Sequence, residues 1–141
     1  MHITQEADYA VRIVYCLARA GCRVDARTIS EEMAVTLRFS LKILHKLTGA
    51  GVVCSFKGTR GGYELARPAQ DITMRQVIEA VDGPAAVSRC IGEGGECNRG
   101  ASGFCAFQRV FAGITDEINR RLDEVDFQQL VEESSADGAD I

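Results

Sequence analysis

Three cysteines, Cys90, Cys97 and Cys105, lie within one glycine-rich stretch of the chain. Because three is an odd number, a disulfide between two of them would leave one thiol unpaired. Three thiols in one flexible segment are typical ligands of zinc or of an iron–sulfur cluster, with a fourth ligand from elsewhere. The chain carries six cysteines in all. In a reducing compartment, such cysteines indicate metal or redox chemistry before disulfides.

The composition limits the class of protein. The 141 residues suffice for one domain with a modest core, and 46% hydrophobic and 26% charged residues are ordinary for a soluble globular protein. No apolar run is long enough to cross a membrane, and the start of the chain lacks the layout of a signal peptide. We therefore expect a cytoplasmic protein with no membrane partner.

Charge is distributed unevenly along the chain. The formal net charge is −4, but residues 1–67 carry ten Lys and Arg against six Asp and Glu, whereas residues 68–141 carry six against fourteen. The basic excess is sharpest in residues 38–67, which hold six basic side chains and one acid. Such an excess is typical of a surface that binds a phosphate backbone. A solvated surface with uneven charge is the other interpretation.

The elements that must position these groups follow from periodicity and capping. Thr4 and Gly21 bracket a first helix with an apolar stripe at helical spacing. A short helix over Thr28–Ala34, a turn at Val35-Thr36 and a helix over Leu37–Thr48 have the spacing of a helix-turn-helix. Four apolar residues of the last helix are expected to face the core: Phe39, Ile43, Leu44 and Leu47.

A β-hairpin is predicted directly after the helix-turn-helix. Val52–Lys57 and Gly62–Ala66 have the composition of strands, and Gly58–Gly61 forms a tight turn between them. A hairpin in this position is a wing. Together with a further helix over residues 71–81, it completes a winged helix-turn-helix DNA-binding domain over residues 1–83.

The remainder of the chain divides into three segments. Residues 84–105 form the cysteine-rich loop. From about Phe104 to Val125, apolar residues step by three and four, as in one long amphipathic helix. Because such a stripe needs a partner to bury it, residues 106–132 are expected to be a dimerisation helix and C-terminal segment, with packing onto its own domain as the alternative. Residues 133–141 are acidic, which predicts a disordered tail.

The predicted fold class is therefore mainly α with a small β-hairpin wing. In a winged helix-turn-helix, the start of the second helix of the motif enters the major groove. The candidates to reach base edges are four residues there: Thr36, Arg38, Ser40 and Leu41. Three residues further along the helix are placed for phosphates: Lys42, His45 and Lys46. Arg60, at the tip of the wing, suits a narrow minor groove, and a solvated turn residue is the alternative.

The order of these features resembles the IscR/NsrR family of winged-helix transcriptional regulators. The resemblance covers Ile3 to about Leu130 and is carried by four segments: Ala7-Asp8-Tyr9-Ala10-Val11-Arg12, Leu44-x-x-Leu47-x-x-Ala50-Gly51-Val52-Val53, Gly58-Thr-Arg-Gly61-Gly62-Tyr63-x-Leu65-Ala66 and Ile72-Thr73-x-x-x-Val77-Ile78-Glu79-Ala80-Val81-Asp82-Gly83. It implies a homodimer that binds a near-palindromic operator in double-stranded DNA.

In the better-known members of this family, the loop cysteines hold an iron–sulfur cluster. The resemblance implies the same role here for Cys90, Cys97 and Cys105, with a cluster of the 4Fe–4S or 2Fe–2S type. The histidine that follows the third cysteine in IscR-like members is absent here. NsrR-like members use an acid from the first helix of the partner subunit, and Asp8 occupies the matching position. A helix N-terminal acid with no metal role is the alternative for Asp8.

These inferences predict a transcriptional repressor whose operator binding is controlled by a cluster that senses nitric oxide, redox state or iron supply. The alternative is a regulator without a cluster, whose three thiols form a redox switch or bind zinc. An electron carrier built on a winged-helix scaffold would not need the basic surface. An enzyme is not expected, because the chain has only two histidines and no visible nucleophile–base–orienter set.

Overall fold

The computed structural model describes residues 2–100 and 105–138. Its elements in chain order are α1 (Gln5–Ala20), α2 (Ala26–Met33), α3 (Leu37–Gly49), β1 (Val53–Phe56), β2 (Gly62–Leu65), α4 (Met74–Asp82), α5 (Ala106–Asp123) and α6 (Phe127–Asp137). The predicted class, mainly helical with one antiparallel hairpin, is confirmed. No helix within the described ranges is long and apolar enough to cross a membrane.

Helix α1 is the element around which the others pack. Five of its apolar side chains are at most 1% exposed: Ala7, Ala10, Ile13, Val14 and Leu17. The helix contacts α2, α3, α4 and α6. At its start, the Thr4 hydroxyl oxygen accepts a hydrogen bond from the Ala7 N–H at 3.1 Å, which caps the helix. The same hydroxyl donates to the Asp82 carboxylate at the end of α4, 2.7 Å away.

Helices α2 and α3 form the predicted helix-turn-helix. The Asp25 carboxylate caps α2 by accepting from the Thr28 N–H at 3.0 Å, and Thr36 caps α3 by accepting from the Phe39 N–H at 3.4 Å. Between the helices, Ala34 adopts a left-handed conformation with φ 53°, and the Ser30 hydroxyl donates to the Val35 carbonyl. These local bonds fix the angle at which α3 leaves the turn.

Three of the four residues predicted to bury α3 do so, and Phe39 does not. Ile43, Leu44 and Leu47 are fully buried, whereas Phe39 is 42% exposed and packs edge-to-face on the Tyr9 ring of α1, with centroids 6.1 Å apart. At about 100° per residue, Phe39 lies at the edge of the buried stripe, and Ser40 lies near its centre. The prediction for Phe39 was therefore wrong because apolar character alone does not set the direction of a side chain.

The wing is a two-stranded antiparallel hairpin that pairs Val53 with Leu65 and Phe56 with Gly62. The loop after α1 extends this pairing, because Val24 and Tyr63 exchange two backbone hydrogen bonds of 2.9 and 2.8 Å. The wing is thus joined to the body of the domain on the side of β2, and not only through the chain at its two ends.

Helix α5 corresponds to the long helix predicted from about Phe104 to Val125, but a further helix, α6, follows it that the sequence analysis did not predict. Helix α5 ends at Asp123, and α6 begins after Asp126, whose side chain caps it in a capping box with Gln129. The segment between them returns to the core: Met74 N–H donates to the Val125 carbonyl at 2.8 Å. Phe127 is fully buried in the main hydrophobic core. The predicted start of the helix at Phe104 lies outside the described residues.

The prediction of a disordered tail over residues 133–141 was wrong for residues 133–137, which belong to α6. The physical reason is the anchor at the start of that helix. Phe127, Leu130 and Val131 pack on the core, and this packing supports the acidic turns that follow. Residues 139–141 lie outside the described ranges.

Phe127→Ala tests whether α6 is part of the folded core. Removal of a fully buried aromatic side chain should lower the free energy of unfolding by about 3 to 5 kcal/mol, measured by urea unfolding followed by circular dichroism. Leu41→Ala is the matched control, because Leu41 is 43% exposed, and it should change the free energy by about 0.5 kcal/mol or less. Equal losses in the two variants would mean that α6 does not belong to the core.

Candidate DNA-reading surface and cysteine loop

The outward face of α3 carries most of the residues that were predicted to read DNA. Five of them are exposed or partly exposed: Thr36, Arg38, Leu41, Lys42 and His45. Leu41, at 43% exposed, is a large apolar side chain left in solvent. Apolar contact with a thymine methyl group is a chemical use for such a side chain, and a guanidinium such as that of Arg38 matches guanine bidentately. The arrangement suits major-groove recognition.

Ser40 does not belong to this face. Its side chain is fully buried, and its hydroxyl has no hydrogen-bond partner among the described residues. The helical period explains the correction, since Ser40 shares the buried stripe with Ile43, Leu44 and Leu47. Ser40 is therefore removed from the residues that can reach a base edge.

Lys46 is also placed differently from the prediction. Its ammonium lies 2.9 Å from the Glu6 carboxylate of α1 and donates to the Val81 carbonyl of α4 at 3.0 Å. Lys42 lies 3.3 Å from the same Glu6 oxygen but keeps 57% of its side chain exposed. Lys46 thus ties α3 to its neighbours, whereas Lys42 remains accessible to a phosphate.

Glu6 is a residue that sequence reasoning placed only as a favourable charge at a helix start. Its hydrogen bond with Lys46 lowers the pKa of the carboxyl group, against a smaller opposing effect of burial. Because the pKa of Glu6 is lowered on folding, this ion pair stabilises the folded state at any pH above the ordinary pKa of a glutamate. The stabilisation is lost as the pH falls from that value through the lowered pKa. At neutral pH the carboxylate therefore neutralises charge beside the reading face of α3.

Arg60 lies exposed at the tip of the wing. Gly58 adopts φ +97°, and a Cβ on Gly61 would lie 2.7 Å from the Phe56 carbonyl oxygen. Both glycines are therefore required by this turn, which presents Arg60 to solvent. The role of Arg60 in a minor groove stays a prediction.

The cysteine loop follows α4 and is anchored on α5. Ala85 N–H donates to the Glu79 carboxylate at 3.3 Å, and Val87 N–H donates to the buried Thr115 hydroxyl at 3.2 Å. The Gln108 amide donates to the Cys90 carbonyl at 3.3 Å. The loop itself is tightly wound, because a Cβ on Gly95 would lie 2.1 Å from the Arg89 carbonyl oxygen.

The three loop cysteines are half-buried and form no disulfide in the part of the chain that the structure describes. The Cys90 sulfur lies 3.3 Å from the Ser88 hydroxyl, and Cys105 directly precedes the first turn of α5. Within residues 2–100 and 105–138, no three His, Cys, Asp or Glu side chains come together as a metal site. The structure therefore keeps the predicted ligands in one loop without gathering them. As donors, three thiols suit iron or zinc, and Cys105 lies at the positive end of α5.

Asp8 is exposed on α1. Its carboxylate forms an ion pair of 2.6 Å with Arg12, one turn further along the helix. Among the described residues, it does not join the cysteines of its own chain in a metal-binding group.

Cys16 has a different environment from the loop cysteines. It is 1% exposed, and burial together with Glu32 raises the pKa of its thiol to about 11. Because the thiolate is the reactive and metal-binding form, Cys16 is suited to packing only.

Comparison with known proteins gives the same architecture. The profile of the Rrf2 family, described as iron-dependent transcriptional regulators, matches residues 3–133. The regulator IscR of Escherichia coli O1:K1 is 31% identical over 93% of this chain and 80% of its own length. T. potens IscR superposes with a TM-score of 0.75 at 22% identity, over 96% of this chain and 90% of that one. CymR, described as the global cysteine regulator of B. subtilis, superposes with a TM-score of 0.77 at 21% identity, over 94% of this chain and 98% of that one. At these identities the structural likenesses establish the fold.

Glu6→Gln tests the neutralising role of Glu6. Release of Lys42 and Lys46 should strengthen binding to a random-sequence duplex at low salt, and the slope of log affinity against log salt should steepen by about one for each further phosphate that the protein binds. The measurement is a fluorescence-anisotropy titration at several salt concentrations. Glu31→Gln makes the same change in net charge at an exposed position of α2. Identical slopes for the two variants would refute the role of Glu6.

Proposed function

The chain belongs to the Rrf2 family of transcriptional regulators, and we propose that it is a homodimeric DNA-binding repressor controlled by an iron–sulfur cluster. The observation that carries the proposal is the pairing of two features in one small domain. One is the exposed reading face of α3 beside a glycine-built wing, and the other is a loop with three cysteine thiols at the head of α5. The relatives are regulators and not enzymes.

The DNA-reading set follows from exposure. Arg38, Leu41 and Thr36 contact base edges in the major groove, Lys42 and His45 contact phosphates, and Arg60 enters the adjacent minor groove. Lys46 is outside this set because it is engaged with Glu6 and the Val81 carbonyl.

Homodimerisation is supported by the exposed apolar face of α5. Four large apolar side chains of its first turns are between 39% and 64% exposed: Phe107, Val110, Phe111 and Ile114. Their spacing of three and four residues places them on one face. A patch of this kind is typical of an interaction surface, and a two-fold axis lets the same patch of a second copy cover it. The dimer then presents two α3 helices to two operator half-sites.

In this dimer, Cys90, Cys97 and Cys105 hold the cluster, and Asp8 of the partner subunit is the proposed fourth ligand. When bound, the cluster supplies a centre that reacts with nitric oxide or oxygen, or that is lost when iron is scarce. The oxygen ligand is the weakest of the four. Asp8 is exposed on α1 and paired with the neighbouring Arg12, so as a ligand it would give up that ion pair. Since the Gln108 amide donates to the Cys90 carbonyl, a change in the conformation of the loop would also shift the first turns of α5.

The second candidate is a regulator without a cluster, in which the same thiols form a redox switch or bind zinc. The observation that favours it is the position of the three cysteines, which do not come together as a metal site in the described residues. Analysis of the bound metal separates the two candidates.

Cys97→Ser tests the metal site. Protein purified without oxygen should contain iron and acid-labile sulfide in near-equal amounts and show a brown visible spectrum, and the variant should lose both because a serine hydroxyl is a poor ligand for a cluster. Cys22→Ser, at an exposed position outside the loop, should retain both. Zinc without sulfide, or a metal-free protein after attempted reconstitution, would move the function to the second candidate.

Asp8→Ala, measured in the same preparation, distinguishes the proposed fourth ligand. Loss of an oxygen ligand should leave the iron content measurable but speed the bleaching of the spectrum by nitric oxide or oxygen. Unchanged bleaching kinetics would assign Asp8 to its ion pair with Arg12 alone.

Val110→Lys tests the dimer. Because the two-fold axis brings the same patch of both copies together, two lysines would be buried near each other, and the dimer dissociation constant should rise by about tenfold or more. Sedimentation velocity over a range of protein concentrations measures it. Asp116→Lys places a lysine outside the apolar face of α5 and should leave the dimer intact. A monomeric wild-type protein, or equal effects of the two variants, would contradict the assigned interface.

A further inference from the structure

Arg23 lies across one face of the wing, although it belongs to neither the helix-turn-helix nor the hairpin. Its guanidinium carbon is 3.4 Å from the centroid of the Phe56 ring. One of its terminal nitrogens donates to the Arg60 carbonyl at 3.0 Å, and its Nε lies 3.6 Å from the Glu64 carboxylate. One side chain therefore holds the end of β1, the tip of the wing and the middle of β2.

The sequence of the wing makes room for this side chain. The register pairs Phe56 with Gly62 and Cys54 with Glu64, so Phe56 and Glu64 lie on the same face of the hairpin. Between them, Gly62 adopts φ +144°, and a Cβ there would lie 2.7 Å from the Val24 carbonyl oxygen and 3.1 Å from Cγ of Arg23. The missing side chain of Gly62 thus lets the stem of Arg23 cross the hairpin.

We infer that Arg23 is a positioning residue for DNA binding, which fixes the wing tip and thereby the minor-groove arginine Arg60. The inference rests on the proposed DNA binding. Within the turn over Gly58–Gly61, Gly61 N–H donates to the Gly58 carbonyl at 3.0 Å. A further hydrogen bond, from Arg23 to the Arg60 carbonyl, orders the tip in the free protein. The wing tip therefore loses less conformational entropy when DNA binds.

The chemistry of the contacts requires an arginine. A planar guanidinium lies over the Phe56 ring while it donates to the Arg60 carbonyl and forms an ion pair with the Glu64 carboxylate. A lysine keeps the positive charge but offers a compact ammonium that cannot do these three things together. Charge and geometry can therefore be separated by one substitution, because a simple phosphate contact would survive Arg23→Lys and a positioning role would not.

The experiment measures affinity for a duplex that the wild-type protein selects from a random-sequence pool, at one fixed salt concentration. Four proteins form a double-mutant cycle: wild type, Arg23→Lys, Arg60→Ala and the double variant. We expect Arg60→Ala to weaken binding by about tenfold, Arg23→Lys to weaken it by about fivefold, and Arg23→Lys to add nothing in the Arg60→Ala background. Arg27→Lys, at an exposed position of α2, is the charge-conserving control. Thermal unfolding of each variant verifies that it is folded.

Each outcome decides the inference. Wild-type affinity for Arg23→Lys, or no effect of Arg60→Ala, would overturn it. A loss from Arg23→Lys that persists in the Arg60→Ala background would overturn it as well, because Arg23 would then act independently of the tip. Failure of the wild-type protein to select any duplex would instead overturn the proposed DNA binding itself.

Discussion

Burial of the apolar stripe of α1 is the interaction on which the rest of the structure depends. The buried apolar side chains of this stripe form the surface on which α2, α3, α4 and α6 pack. Small residues such as Ala7 and Ala10 allow close approach of these helices, and the larger Ile13 and Leu17 fill the space between them. The orientation of α3, and therefore the direction in which its reading face points, follows from this packing.

Polar contacts at the two ends of α1 fix how the neighbouring elements are oriented on it. Thr4 joins α1 to α4 through Asp82, and Glu6 joins it to α3 through Lys46. After Gly21, the chain supplies Arg23 to the wing. Each such contact between partly exposed groups contributes little to stability. Their common effect is to fix α3 and the wing, the two elements that carry the proposed DNA-reading residues, relative to α1.

The sequence predicted most of the elements, because capping residues and apolar periods are local signals. The limits of α1, the helix-turn-helix and the glycine-built wing all come from spacings within a few residues. The errors come from what a local pattern cannot contain. Phe39 and Ser40 exchanged their expected environments because one step around α3 decides burial. The capping box of Asp126 and Gln129 was a local signal that went unused, and it marks the start of α6.

The candidate site was less predictable, because its key pairs are distant in sequence. Glu6 meets Lys46, and Arg23 meets Arg60, across separations that no periodicity reveals. The helix-turn-helix pattern was sufficient to predict the exposed residues of α3. It could not predict that Lys46 forms an ion pair with Glu6. For the cysteine loop, spacing identified the donors, but a flexible loop rich in glycine does not determine from its sequence how three sulfurs are arranged.

The anchoring of the cysteine loop constrains how any signal from it reaches DNA. Within the described chain, hydrogen bonds hold residues 85–90 to α4 and α5: to Glu79, to Thr115 and from Gln108. The apolar face of α5 begins in the same turns as Gln108. A change in the loop therefore acts first on the surface where two copies are proposed to meet. In the proposed dimer, two half-sites would be read at a fixed separation, so a small rotation at that surface would misalign the two α3 helices without any change in the fold of each reading domain.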